Sequence, residues 1–324
     1  MKGDELSLIF RQMRAVALLL SVSLLMSLDG AGADKVSRPH ILGVAHMALY
    51  VSDLHKARTF YEDFLGYAEA YKLKRDDGSD RIAFVKINED QYLELFAEPP
   101  KHDDVHLNHI SIQTDSAEQM REYLASQGVK VPDNVGKGKI GNANFNITDP
   151  DGHIVEIVQY EPDSWTRQAR GKYLPDTRIS THMSHVGITV GPLEQAMEFY
   201  HGILGFDEFW RGSSSGKVLS WVNMRVPDGQ DYIEFMLYKE PPDARQLGVK
   251  NHICLVVPDI QKAVAILKGR AARAGYTQPI EIKVGVNGKR QSNLFDPDGT
   301  RVELMEPNTA NGQPVPSSTA PPPQ

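Results

Sequence analysis

The 324-residue sequence contains one cysteine, Cys254. No disulfide can form within the chain, so its own cores must hold the fold. It also lacks a surplus of positive charge: 35 Lys and Arg stand against 42 Asp and Glu, a net charge of −7. That balance argues against a nucleic-acid surface and toward small-molecule chemistry. The apolar run Ala15 to Leu28 is only 14 residues, short of the ~20 that cross a bilayer comfortably. Lys2, Arg11 and Arg14 precede it and Ala31-Gly32-Ala33 follow it, the pattern of a signal peptide cut after Ala33. Residues 1–33 are therefore expected to be a signal peptide and the mature protein to be exported, periplasmic or extracellular, with no stable membrane domain. An uncleaved anchor is the alternative.

With 41% hydrophobic and 24% charged residues, the remainder has the composition of a soluble globular protein, and its length suggests about two domains. The chain repeats itself. Ala57-Arg58-Thr59-Phe60-Tyr61 with Leu65-Gly66 returns 139 residues later as Ala196-Met197-Glu198-Phe199-Tyr200 with Leu204-Gly205. Asp149-Pro150-Asp151-Gly152 returns 147 residues later as Asp296-Pro297-Asp298-Gly299. A near-constant offset makes two copies of one domain the simplest arrangement.

Each copy is doubled again, more weakly. Four histidine-bearing strands are each followed by a helix, and short alternating runs that read as antiparallel strands come after the helices. Asp53 is placed to cap the first helix and Gly66 to stop it. The expected fold is therefore α+β: four βαβββ modules forming two cupped mixed sheets. The domains span 41–161 and 182–307, with 162–181 a polar linker and 308–324 a disordered tail.

Strand alternation decides which side chains share a face. His46, His109, His185 and His252 each point away from the more aliphatic face of their strands. Glu94, Glu156, Glu234 and Glu303 do the same, each flanked by aliphatic residues. Buried carboxylates are costly unless paired. The repeated order His, Glu, His, Glu suits a divalent transition metal in each copy, held by His46, Glu94, His109 and Glu156, and by His185, Glu234, His252 and Glu303. The bland alternative is that these are satisfied core histidines and glutamates facing water. The Asp-Pro-Asp-Gly runs read as turns that set the register of Glu156 and Glu303.

The strand histidines, the Ala-x-x-Phe-Tyr and Leu-Gly features and the Asp-Pro-Asp-Gly turns resemble the vicinal oxygen chelate superfamily, the glyoxalase, bleomycin-resistance and ring-cleaving dioxygenase group. The resemblance implies paired βαβββ units cupped around a metal and a substrate that chelates it through adjacent oxygens. Three functions follow. The first is a lyase or isomerase of glyoxalase type, in which Ni, Zn, Fe, Mn or Co acts as a Lewis acid and Glu303 or Glu234 moves a proton. The second is Fe(II) ring cleavage at His185, His252 and Glu303; it is weakened because Glu234 and Asn293 stand where such enzymes tend to carry a His and a Tyr. The third is non-catalytic binding of a small molecule. Tyr50, Gln113, Trp210, Arg211 and Trp221 are candidate pocket residues, and a homodimer is left open.

Overall fold

The computed structural model describes residues 36–98, 100 and 106–324; the expected signal peptide lies outside them. The first module runs β1 (Ile41–Tyr50), α1 (Leu54–Arg58), β2 (Ala68–Lys74), β3 (Asp80–Lys86) and β4 (Tyr92–Phe96). The second runs β5 (Leu107–Thr114), α2 (Ala117–Ser126), β6 (Gly136–Lys137), β7 (Ala143–Thr148) and β8 (Ile154–Gln159). Together they form one eight-stranded sheet in the order β2-β3-β4-β1-β5-β8-β7-β6.

A short helix, α3 (Trp165–Gln168), lies in the linker. The third module is β9 (Met183–Val190), α4 (Leu193–Met197), β10 (Asp207–Gly212), β11 (Trp221–Arg225) and β12 (Tyr232–Leu237). After α5 (Ala244–Lys250) comes the fourth: β13 (His252–Val256), α6 (Ile260–Ala271), β14 (Lys283–Val284), β15 (Lys289–Phe295) and β16 (Arg301–Thr309). The second sheet repeats the order of the first, β10-β11-β12-β9-β13-β16-β15-β14. Consecutive modules thus share a sheet, and the expected α+β architecture is what the chain adopts.

Local chemistry explains the boundaries. Asp53 accepts from the backbone N–H groups of His55 and Lys56 at the start of α1, satisfying donors that a helix start leaves open. The helix then widens into a π-type turn over Thr59–Phe64, where a plain α-helix to Leu65 is expected. Gly66 ends it at φ 85°, a left-handed conformation that favours glycine. The same succession recurs at Glu198–Ile203 and Gly205. Tyr61 and Tyr200 lie on these widened turns and are fully buried. Tyr61 donates to Asp296 Oδ2 (3.2 Å) and Tyr200 to Asp149 Oδ2 (3.0 Å). Each Asp-Pro-Asp-Gly turn is therefore a turn, as expected, and also a dock for the other copy's helix.

The aliphatic faces meet in one hydrophobic cluster that takes residues from both sheets. Phe64 stacks on Tyr276 across it, with ring centroids 4.4 Å apart. The second domain is expected to end at Pro307, but β16 runs to Thr309. The segment expected to be a disordered tail is hydrogen-bonded to edge strand β10 and to the connection after it, Ser318 N–H donating to Arg211 O and Leu219 N–H to Pro321 O.

Candidate metal centres

The four central strands of each sheet carry the predicted quartet, and register explains how. In the first sheet Glu94 is level with Ala48 and Ala48 with His109, while His46 is level with Ser111 and Ser111 with Glu156. In the second, Glu234 is level with Gly187 and Gly187 with His252, while His185 is level with Cys254 and Cys254 with Glu303. A small residue separates each His from its Glu, so the long side chains converge above it. At Gly187 this is strict: a Cβ there would lie 2.0 Å from His252 Nδ1.

The donors come within ligand range. His46 and His109 Nε2 are 3.0 Å apart. His46 Nε2 is 3.5 Å from Glu94 and 3.6 Å from Glu156, and His109 Nε2 is 4.0 Å and 3.9 Å from them. In the second quartet the imidazole nitrogens are 3.2 Å apart. Glu234 lies 3.9 Å from His185 and 3.5 Å from His252, and Glu303 lies 3.5 Å and 3.7 Å from them. Donors each about 2.1 Å from one cation fall roughly 3–3.5 Å apart, so both quartets need only a small contraction to hold one.

The tautomers agree with that fit. His109 Nδ1 donates to Asn108 Oδ1 (2.7 Å) and His252 Nδ1 to Lys250 O (2.7 Å). Each leaves its Nε2 lone pair facing the centre, the arrangement of a metal-ligating histidine. Burial disfavours the charged form of three of them: His46 lies well below its ordinary pKa, His109 falls to about 4 and His252 to about 3, the last helped by the charge of Arg301.

The carboxylates differ between the centres. Burial pushes Glu94 well above its ordinary value, with the Glu156 charge adding to it. Burial takes Glu156 to about 7 against hydrogen bonds from Ser111 and Asn144. Burial also raises Glu234. Glu303 is the exception: the surrounding His185 and His252 and the Arg301 charge outweigh burial, and its pKa lies well below the ordinary value.

What surrounds the quartets differs more. Over the first lie Tyr50, Tyr71, Phe84, Tyr92 and Phe96 in a single cluster, with Phe96 edge-on to His109 at 5.9 Å. Helix α3 closes over this cluster: Trp165 meets Tyr71 edge-on, and Thr166 Oγ1 is 3.1 Å from Tyr71 Oη. The second quartet opens instead into a cleft of about 240 Å³, lined by Glu234, Glu303, Arg301, Gln291, Trp210 and Trp221 among others. Matching the strand registers puts Trp210 where the first cup has Tyr71, Asn223 where it has Phe84, Trp221 where it has Ile82, and Arg301 where it has Ile154.

All eight predicted ligands are thus brought together, four by four. Of the predicted pocket residues, Trp210 and Trp221 line the cleft. Tyr50 is packed in the first cup, Arg211 is paired with Glu208, and Gln113 lines a separate surface depression. Sequence reasoning missed Arg301 and the supporting pair Asn144 and Gln291. Asn144 donates to Glu156 and Gln291 to Glu303. Alternation was the available signal, since Arg301 lies two residues before Glu303 on the same face. Cys254 also belongs to the second centre, its Sγ grouping with His185 and Glu303 as a candidate ligand.

Two cupped sheets, each converging two histidines and two glutamates from its four central strands, define a tandem vicinal-oxygen-chelate architecture. The model of the Glyoxalase/Bleomycin resistance protein/Dioxygenase superfamily matches residues 43–157 and 182–304, and the chain belongs to that superfamily. No curated protein matches the sequence.

Among solved structures, the chain is similar to the 2,3-dioxygenase LapB from Pseudomonas sp. KL28, with 14% identity, 87% of this chain and 98% of that one covered, and a TM-score of 0.63. It is similar to a Mn(II)-bound glyoxalase from Novosphingobium aromaticivorans, with 17% identity, 88% of each chain covered and a TM-score of 0.61. A third is homoprotocatechuate 2,3-dioxygenase from Brevibacterium fuscum in complex with 3,4-dihydroxyphenylacetate, with 17% identity, 89% and 86% covered and a TM-score of 0.62. At these identities the likeness establishes the fold. No helix among the described residues is long and apolar enough to cross a membrane.

Proposed function

We propose that the protein is an exported, metal-dependent enzyme of glyoxalase or isomerase type, reacting at the second quartet on a small substrate that presents two adjacent oxygens. The observation that carries this is the fourth donor. Glu234 stands within 4 Å of both imidazole nitrogens, as Glu303 does. Four protein donors leave about two positions of a six-coordinate cation, enough for one chelating substrate. A divalent cation there supplies Lewis-acid polarisation of the substrate's paired oxygens.

The chain's own groups supply the rest. Gln291 holds Glu303 in place as an ionised ligand. Glu234 faces the cleft with its proton affinity raised by burial, suited to take and return a proton at the carbon beside the chelating oxygens. Trp210 and Trp221 shield the reacting end from bulk water. The first quartet, under its aromatic cover, is assigned a structural cation.

The test is solvent deuterium exchange at that carbon, followed by NMR across a panel of 2-hydroxy and 2-oxo compounds with the protein loaded with Mn, Ni, Zn, Fe or Co in turn. Exchange that is lost in Glu234→Gln supports the assignment, and exchange that persists unchanged in that variant overturns it. Export is checked by the N-terminus of the mature protein, expected at Asp34.

A second function, ring cleavage by Fe(II), is favoured by the His185, His252 and Glu303 set and by the likeness to dioxygenases. It requires room for molecular oxygen beside a chelated catechol, which Glu234 as a ligand would occupy. Oxygen uptake by the Fe(II)-loaded protein with catechols decides between the two.

A further inference from the structure

Arg301 is a buried cation with no carboxylate partner. It is 9% exposed, and among the described residues no Asp or Glu oxygen pairs with it within 4.0 Å. Its Nη2 lies 2.8 Å from His252 Nδ1 and 2.9 Å from Nε2. Near-equal approach to both ring nitrogens places the guanidinium over the imidazole face. Its Nε has no hydrogen-bond partner. A buried guanidinium of this kind is costly unless something accepts from it.

A second unpaired donor, the buried indole Nε1 of Trp210, belongs to a residue that lines the same cleft. Both groups can only donate, so what completes them must be an acceptor. The first cup carries no cation at this place: Ile154 holds the Arg301 position and the Tyr71 hydroxyl, at the Trp210 position, is already engaged by Thr166.

Charge leads to the same class of ligand. Two ionised glutamates, one divalent cation and one guanidinium leave the second centre with one uncompensated positive charge. The first centre, with two glutamates and a divalent cation, is neutral. The guanidinium also lies within 3 Å of a candidate metal-ligating nitrogen, so the group it binds must be part of the chelate itself and not a remote substituent. A 2-hydroxy or 2-oxo carboxylate meets both demands. One carboxylate oxygen and the neighbouring oxygen form the vicinal pair, and the other carboxylate oxygen is free to accept from Arg301 in a charge-assisted bond.

We infer that the second cleft is selective for small 2-hydroxy or 2-oxo carboxylates, with Arg301 as the residue that holds the carboxylate. This rests on the assignment of the second quartet as the reacting centre, and the test separates the two claims. Lactate and its uncharged counterpart lactamide are titrated by calorimetry into full-length protein, metal-loaded and metal-free, with metal content measured on the same samples.

Wild type is expected to bind lactate more tightly than lactamide. Arg301→Gln is expected to lose lactate affinity by about 10- to 100-fold, the scale of a charge-assisted hydrogen bond, with lactamide little changed and metal content preserved. Should Arg301→Gln disturb metal content, Arg301→Lys decides: it keeps the charge but loses the fork, and a reduced lactate preference is expected with metal retained. Equal affinity for the two probes in wild type, or an unaltered preference in the variants, overturns the inference. Wild type that holds no metal yet binds lactate through Arg301 refutes the metal assignment and leaves this one standing.

Discussion

The two cups are built on one plan and finished differently. In the first, Tyr50, Tyr71, Phe84, Tyr92 and Phe96 form an aromatic wall beside the quartet, with α3 packed on Tyr71. In the second, Asn223, Trp210, Trp221 and Arg301 take the corresponding positions of that wall and a cleft remains. The donor sets match to within about half an ångström, so the ability to hold a cation does not distinguish the centres; the chemistry of the lining and the charge of Arg301 do. On the proposed function, a tandem chain carries one structural and one reacting centre because the two copies of one cup are lined differently.

The sharpest way to break this comparison is to remove each pair of imidazoles in turn. His185→Ala with His252→Ala should abolish turnover, whereas His46→Ala with His109→Ala should leave turnover near the wild-type value and lower thermal stability. Equal losses of turnover from the two changes would mean that the cups share the chemistry.

Gly187 offers a finer contrast. Its first-cup counterpart Ala48 carries a Cβ without penalty, but a Cβ at Gly187 would run into His252. Gly187→Ala should weaken metal binding at the second centre by about 10- to 100-fold, the usual cost of disturbing a ligand's support. Ala48→Gly should change the first centre little. Metal titration of the two variants reads the difference.

The centres should also respond differently to pH. A metal must displace the protons that the free quartet holds. In the first, burial raises both carboxylates, Glu156 to about 7; in the second, burial raises Glu234 but Glu303 lies well below its ordinary value. As pH falls through 7 the affinity of the first centre should therefore fall more steeply than that of the second. Competition against a chelator at several pH values checks it, and parallel slopes would contradict the charge difference.

The smallest effects belong to the docking turns. Asp149 Oδ2 is held by both Tyr200 and His153 (3.0 and 2.9 Å), while Asp296 Oδ2 has Tyr61 (3.2 Å) as its side-chain donor. Tyr61→Phe should cost about 1–2 kcal/mol in urea unfolding, and Tyr200→Phe less. Burial pushes Asp296 to about 7, so the folded state retains a proton that the unfolded chain releases near 4. Asp296 therefore favours folding fully below pH 4 and ceases to by pH 7. Asp296→Asn should flatten that part of the stability profile.

Much of this was legible before any coordinates. Repeated motifs at offsets of 139 and 147 disclose the duplication, and glutamates set among Leu, Ile and Val on alternating strands disclose the quartets. What stayed hidden depends on neighbours across strands. Arg301 follows ordinary alternation, and its meaning emerges only when its counterpart is seen to be Ile154 and its nearest group the face of His252. Tyr61 and Tyr200 belong to a visible motif, but their partners lie 235 and 51 residues away in the other copy. The Pro-rich stretch after Thr309 has the composition of a disordered tail, yet its backbone finds partners at Arg211 and Leu219. Composition does not report an edge that the rest of the fold leaves available.

The central claim is that each quartet is a separate divalent-cation site, and metal stoichiometry tests it most directly. Elemental analysis after Mn(II) loading and gel filtration should give two equivalents per chain in wild type. It should give one in His185→Ala with His252→Ala, one in His46→Ala with His109→Ala, and none when all four are replaced, with circular dichroism confirming folded protein. Wild type that binds no metal, or paired variants that bind as much as wild type, would contradict it.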